Sequence, residues 1–80
     1  MSSKLFVGGL AWSTTDETLA AHFAPYGDVV EAKVIQDRET GRSRGFGFVT
    51  YETAEMAKAA VAELADSQLD GRSIRVDTAT

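Results

Sequence analysis

Short apolar runs that alternate with polar residues are interleaved, along this chain, with two stretches in which apolar residues return every three or four positions. Leu5-Phe6-Val7 is the first run, and Gly8-Gly9 ends it as a strand would end. Thr14-Thr15-Asp16-Glu17 supplies a capping box: Thr14 caps a helix, Glu17 reaches back, and Asp16 adds favourable charge at the amino end. Leu19 and Phe23 lie four apart on the buried side of that helix, Pro25 and Gly27 close it near Tyr26, and His22 falls on a neighbouring, exposed face. Residues 29–35 are rich in β-branched side chains and alternate Val30, Ala32 and Val34 with Glu31, Lys33 and Ile35, as a half-buried second strand does. The polar residues 37–43 form a turn into a third strand, antiparallel to the second. Thr53 caps a second helix whose Ala57, Ala60, Val61 and Leu64 make one buried stripe. After the Asp70-Gly71 turn, residues 73–77 close the pattern as a last strand, with Ile74 and Val76 on one face and Arg75 and Asp77 on the other.

The order strand, helix, strand, strand, helix, strand predicts an α+β fold, a ferredoxin-like βαββαβ sandwich with a four-stranded antiparallel sheet. Right-handed crossovers put both helices on one side, over a core of Leu5, Val7, Leu19, Phe23, Val30, Val34, Val49, Tyr51, Val61, Leu64, Ile74 and Val76. Eighty residues make one small domain, residues 1–80 with an ordered core at about 4–77, so the other side of the sheet has no cover. Within residues 44–51, Arg44, Phe46, Phe48 and Thr50 share that bare side. Gly45, Gly47, Val49 and Tyr51 take the buried one, where the two glycines permit close helix approach.

Composition removes several classes of chemistry. With no cysteine there is neither a disulfide framework nor a thiolate ligand or nucleophile, no metal-ligand cluster is present, and no cofactor is expected. No apolar run reaches membrane-spanning length and the amino end has no signal-peptide pattern, so a soluble intracellular protein, nuclear or cytoplasmic, is expected. The net charge of −4 argues at first against a polyanionic partner, but residues 52–70 hold the whole excess: Glu52, Glu55, Glu63, Asp66 and Asp70 against Lys58. The other seven cations, Lys4, Lys33, Arg38, Arg42, Arg44, Arg72 and Arg75, fall in expected strands or the loops between them.

Arg44-Gly45-Phe46-Gly47-Phe48-Val49-Thr50-Tyr51 satisfies every constrained position of the octamer [KR]-G-[FY]-[GA]-F-V-x-[FY] that marks an RNA recognition motif, and Leu5-Phe6-Val7-Gly8-Gly9-Leu10 resembles the shorter hexamer of that family. More narrowly, residues 7–12 with residues 37–50 look like the single domain of the glycine-rich and cold-inducible RNA-binding proteins. That family usually carries a glycine-rich tail, which residues 1–80 lack, so an excised domain or a tail-less member is expected. Two departures are Gly9, where the hexamer often holds asparagine, and the acidity, which predicts modest, salt-sensitive affinity.

The resemblance implies binding of single-stranded RNA, with single-stranded DNA as an alternative, by a monomer that performs no catalysis. Phe6 and Phe48 would each support one base, Phe46 would pack against a sugar, and Arg44 would pair with a phosphate. Lys4, Lys33 and Arg75 would add charge on the same sheet face, and Arg42 in the loop before it. Trp12 either stacks a base at the sheet edge or covers the rim of the core, and backbone groups of Thr78 and Ala79 would meet base edges as the family implies. Two rival functions are weighed beside it. Acyl-phosphate hydrolysis would use Arg42 or Arg44, but His22 lies on a helix away from them, and Gly45-Phe46-Gly47 leads into a strand instead of opening a helix as a phosphate loop does. A protein-interaction module would use the acidic second helix and leave the sheet idle.

Overall fold

Alternation of inward and outward residues along three long strands organises the chain in the computed structural model, which describes residues 3–79. The ends of the expected 1–80 span, Met1, Ser2 and Thr80, lie outside the described residues. β1 (Lys4–Gly8) is followed by α1 (Asp16–Phe23), a 3-10 turn (Ala24–Tyr26), β2 (Val29–Gln36), β3 (Ser43–Tyr51) and α2 (Ala54–Leu64). Two short strands, β4 (Gln68–Leu69) and β5 (Arg72–Ser73), make a separate hairpin about Asp70-Gly71, and β6 (Arg75–Thr78) closes the chain. The main sheet runs β2-β3-β1-β6 with every neighbouring pair antiparallel, as the expected βαββαβ sandwich requires. Both helices pack on the side that carries Leu5, Val7, Val34, Val49, Tyr51 and Val76.

Register explains which residues share that core. One row across the sheet reads Val34, Gly47, Val7 and Val76, and the next reads Ala32, Val49, Leu5 and Thr78. A Cβ added to Gly47 would run into the backbone of Lys33 and Val34 in β2, so glycine is demanded by the neighbouring strand and not by a helix. Gly45 serves a different need: its φ of 84° is left-handed, and its carbonyl accepts the Leu10 N–H at 2.9 Å. The expectation that these two glycines admit a helix is corrected on both counts.

Other expectations change for similarly local reasons. Thr15, not Thr14, caps α1, in a box closed by Thr18 instead of Glu17. Thr14 is buried, and its hydroxyl donates to the Asp70 carboxylate at 2.8 Å, tying the loop after β1 to the β4–β5 turn. Asp16 does more than charge the helix end, because its carboxylate accepts the Val34 N–H at 2.7 Å. Val30 leaves the core and is 65% exposed, since the register shifts between Val29 and Glu31 and turns Val29 toward the core in its place. His22 is half-buried, with its Nε2 3.1 Å from the Ser67 hydroxyl. The last strand is β6, starting at Arg75, because Ile74 exchanges hydrogen bonds with Ser67 and Asp66 instead of with β1.

Tyr51 joins the sheet to the end of α1: its hydroxyl is buried and donates to the Phe23 carbonyl at 2.7 Å. Burial, helped by nearby Tyr26, pushes its pKa up to about 12 from the usual 10, so the folded state favours the neutral phenol. The stability from this preference is complete below pH about 10 and is lost as pH rises toward 12, a change of roughly 2–3 kcal/mol. Urea midpoints measured across that window should fall for the wild type. In Tyr51→Phe, which also loses about 1–3 kcal/mol with the hydrogen bond, they should lack this component of the fall.

Candidate nucleic-acid interface

The face of the sheet opposite the helices is built by the same alternation. Across the four strands one row reads Lys33, Phe48, Phe6 and Asp77. Glu31, Thr50 and Lys4 form the row on one side, and Phe46, Gly8 and Arg75 the row on the other. Gly8 is bare because the Phe6 ring lies over it: an added Cβ would sit 2.9 Å from the ring's Cε2.

Phe6, Phe46 and Phe48 therefore converge as a triangle of rings. Phe6 and Phe46 stack at 5.8 Å with 25° between their planes, whereas Phe48 meets Phe6 at 6.0 Å and Phe46 at 6.2 Å edge-on. Each ring is partly exposed, and none belongs to the helix-side core. The Lys4 ammonium stands 4.7 Å from the centre of the Phe48 ring, a cation over a π face. Lys4, Lys33 and Arg75 lie exposed around the rings, with Glu31 and Asp77 among them, so the charges of this face are mixed despite the acidity of the chain. Arg44 is exposed at the head of β3, but the left-handed turn at Gly45 interrupts the alternation just before Phe46.

Beyond the Phe46 end, two loops meet. Trp12 is 72% exposed, so it does not cover the core rim; Leu10 and Ala11 take that place. The Arg42 guanidinium stacks over the Trp12 ring at 5.2 Å. Arg42 is presented by a loop that Asp37 organises: the Glu39 and Thr40 N–H groups donate to its carboxylate at 2.8 and 3.2 Å and hold its pKa below the usual carboxylate range. Trp12 and Arg42 are thus brought together with each other, off the sheet.

At the opposite margin, the Thr78 N–H donates to the Asp77 carboxylate and the Ala79 N–H to the Lys4 carbonyl, both at 2.9 Å. Of their backbone groups, Thr78 and Ala79 therefore have only the carbonyls left to offer a base. Beside them lies a cleft of about 410 Å³ lined by Phe6, Ala65, Asp66, Arg75, Val76 and Asp77. Sequence reasoning missed this cleft. Alternation placed Asp77 beside Arg75, yet nothing in the sequence says that the loop after α2 comes to the same edge. Among the described residues no group of three or more histidine, aspartate or glutamate side chains could hold a metal ion.

Comparison with known proteins accounts for this architecture. A family model described as the RNA recognition motif matches residues 5–75, and the chain belongs to that family. Within it, the chain resembles Glycine-rich RNA-binding protein 2, mitochondrial, of Arabidopsis thaliana, with 58% identity over 99% of this chain and 50% of that protein. Glycine-rich RNA-binding protein 1 of Mycosarcoma maydis is 54% identical over 99% of this chain and 45% of its own length. The chain thus spans about half the length of the curated relatives it matches. Among solved structures, RNA binding protein PG1 superposes with a TM-score of 0.92 at 45% identity, covering 98% of this chain and 94% of that one. The protein in the SXL-lethal protein/RNA complex gives 0.89 at 33% identity, over 96% of this chain and 47% of the other.

Proposed function

We propose that this domain, with its ordered core at residues 4–77, binds single-stranded RNA as a monomer on the open face of its sheet. The observation that carries the reading is the triangle of Phe6, Phe46 and Phe48, partly exposed on a face that no helix or further strand covers among the described residues. A splayed-out base loses its stacking partner, and an aromatic ring replaces it. Phe6 and Phe48 each take one base, Phe46 packs against the intervening sugar, and Arg44 pairs with a phosphate, while Lys4, Lys33 and Arg75 contribute charge. Trp12 with Arg42 extends the stacking surface past the end of the sheet, and Thr78 and Ala79 supply carbonyl acceptors at the other margin. The matched relatives and the PG1 structure carry RNA binding in their names, which supports the same reading.

No catalytic step belongs to this account. No helix is long and apolar enough to cross a membrane among the described residues. An intracellular setting, nuclear or cytoplasmic, suits a chain without cysteine. Relatives named mitochondrial and relatives without that word match at 58% and 54% identity, so these residues do not themselves select a compartment.

Titration with short single-stranded RNA tests the reading. Trp12 is the only tryptophan, so its fluorescence reports strand arrival at the loop end. Affinity should fall with salt, with a slope of about −0.7 in log–log form for each phosphate neutralised on a single strand. Arg44→Gln should flatten that slope by about 0.7 while weakening binding only modestly. An unchanged slope would remove Arg44 from phosphate contact. Matched RNA and DNA oligomers report the contribution of the 2′-hydroxyl, and absence of binding to either would overturn the proposal.

A further inference from the structure

We infer that the cleft beside Phe6 reads the base stacked on that ring and favours guanine, an inference that rests on the RNA-binding reading of the platform. The cleft lies where the open face meets the loop after α2, and its volume of about 410 Å³ is within the range of small-ligand sites, roughly 300–1,000 Å³. Two acidic residues, Asp66 and Asp77, line it against one basic residue, Arg75, and Phe6 lines it with Ala65 and Val76 as apolar surface. That balance repels phosphate and suits a neutral group rich in donors.

The donor pattern selects among bases. An ionised carboxylate only accepts hydrogen bonds, and its two oxygens are matched by two adjacent N–H groups. Guanine presents such a pair, N1–H beside the 2-amino group, and on its other edge O6 and N7 are adjacent acceptors that fit an arginine fork. Uracil offers a single N3–H flanked by two carbonyl oxygens, which would face the carboxylate. Adenine and cytosine each set an amino donor beside a ring-nitrogen acceptor. The Asp77 carboxylate is already steadied by the Thr78 N–H at 2.9 Å, and it stands opposite Phe6 in the register of β1 and β6. On the other wall the Asp66 backbone is held by its N–H, which donates to the Ile74 carbonyl at 3.1 Å.

The experiment walks one guanosine through a short oligouridine and reads affinity by fluorescence anisotropy at fixed salt. At one position guanosine should strengthen binding about tenfold or more over uridine, with adenosine and cytidine doing less. Inosine, which lacks the 2-amino group, should recover only part of that gain. Asp77→Asn, which keeps an oxygen for the Thr78 N–H, should abolish most of the guanosine gain without weakening oligouridine binding. Tight binding with no preferred guanosine position overturns the selectivity while leaving the RNA reading intact, as does a gain that inosine matches in full. A gain retained in Asp77→Asn removes Asp77 from the contact. Failure to bind any of these strands overturns the RNA reading itself.

Discussion

Replacing Phe46 and Phe48 together by alanine is expected to weaken the binding of short single-stranded RNA by roughly 2–6 kcal/mol, at least about thirtyfold, while the domain stays folded. A stacked ring is worth about 1–3 kcal/mol, more than an exposed ion pair at 0–1, so the rings dominate over Lys4, Lys33 and Arg75. The fold survives because both side chains lie outside the helix-side core, and the backbone ladder of β3 with β1 and β2 does not depend on them. Their mutual packing contributes only about 0.5–1.5 kcal/mol per ring pair. Anisotropy titration beside circular dichroism separates the two quantities. Native spectra with undiminished affinity would move the RNA interface off these rings.

The same sheet seen from its other side gives the opposite result. Phe23→Ala should destabilise the fold by about 3–5 kcal/mol and leave the binding surface chemically intact. Phe23 is fully buried at the end of α1, its ring 6.4 Å from that of Tyr51 and its carbonyl holding the Tyr51 hydroxyl. A domain of this size has a total stability of roughly 4–12 kcal/mol, so this one cavity removes a large share. The melting temperature should drop by at least about 12 °C, as scanning calorimetry would record. At a temperature where the variant is still folded, its RNA affinity should equal that of the wild type. A drop of only a few degrees would mean that Phe23 is not the keystone its burial implies.

This separation between a sheet's two sides is why so much was legible in the sequence. Period-two alternation in residues 46–51 sorts the rings from Val49 and Tyr51 without knowledge of any other element, and the structure keeps that sorting. Positions set by one extra or one unusual residue were not legible. The bulge that exposes Val30 shifts the start of β2 by one place, and alternation cannot reveal such a shift. Thr14 and Thr15 are equivalent as capping residues, and only the distant Asp70 decides which of them is drawn inward. The Trp12–Arg42 pair joins residues from two separate loops, and the cleft at β6 brings the loop after α2 against strands β1 and β6. Loop approach of that kind depends on the packed whole, whereas the ring triangle follows from strands whose register the hydrophobic pattern dictates.

The most direct measurement follows the ring protons of Phe6, Phe46 and Phe48 by NMR as short single-stranded RNA is added. Stacked bases should shift those protons upfield, most strongly for Phe6 and Phe48, with saturation at one strand per domain and with Phe23 unmoved on the helix side. Sheet rings that keep their free-state shifts while RNA is demonstrably bound would contradict the account.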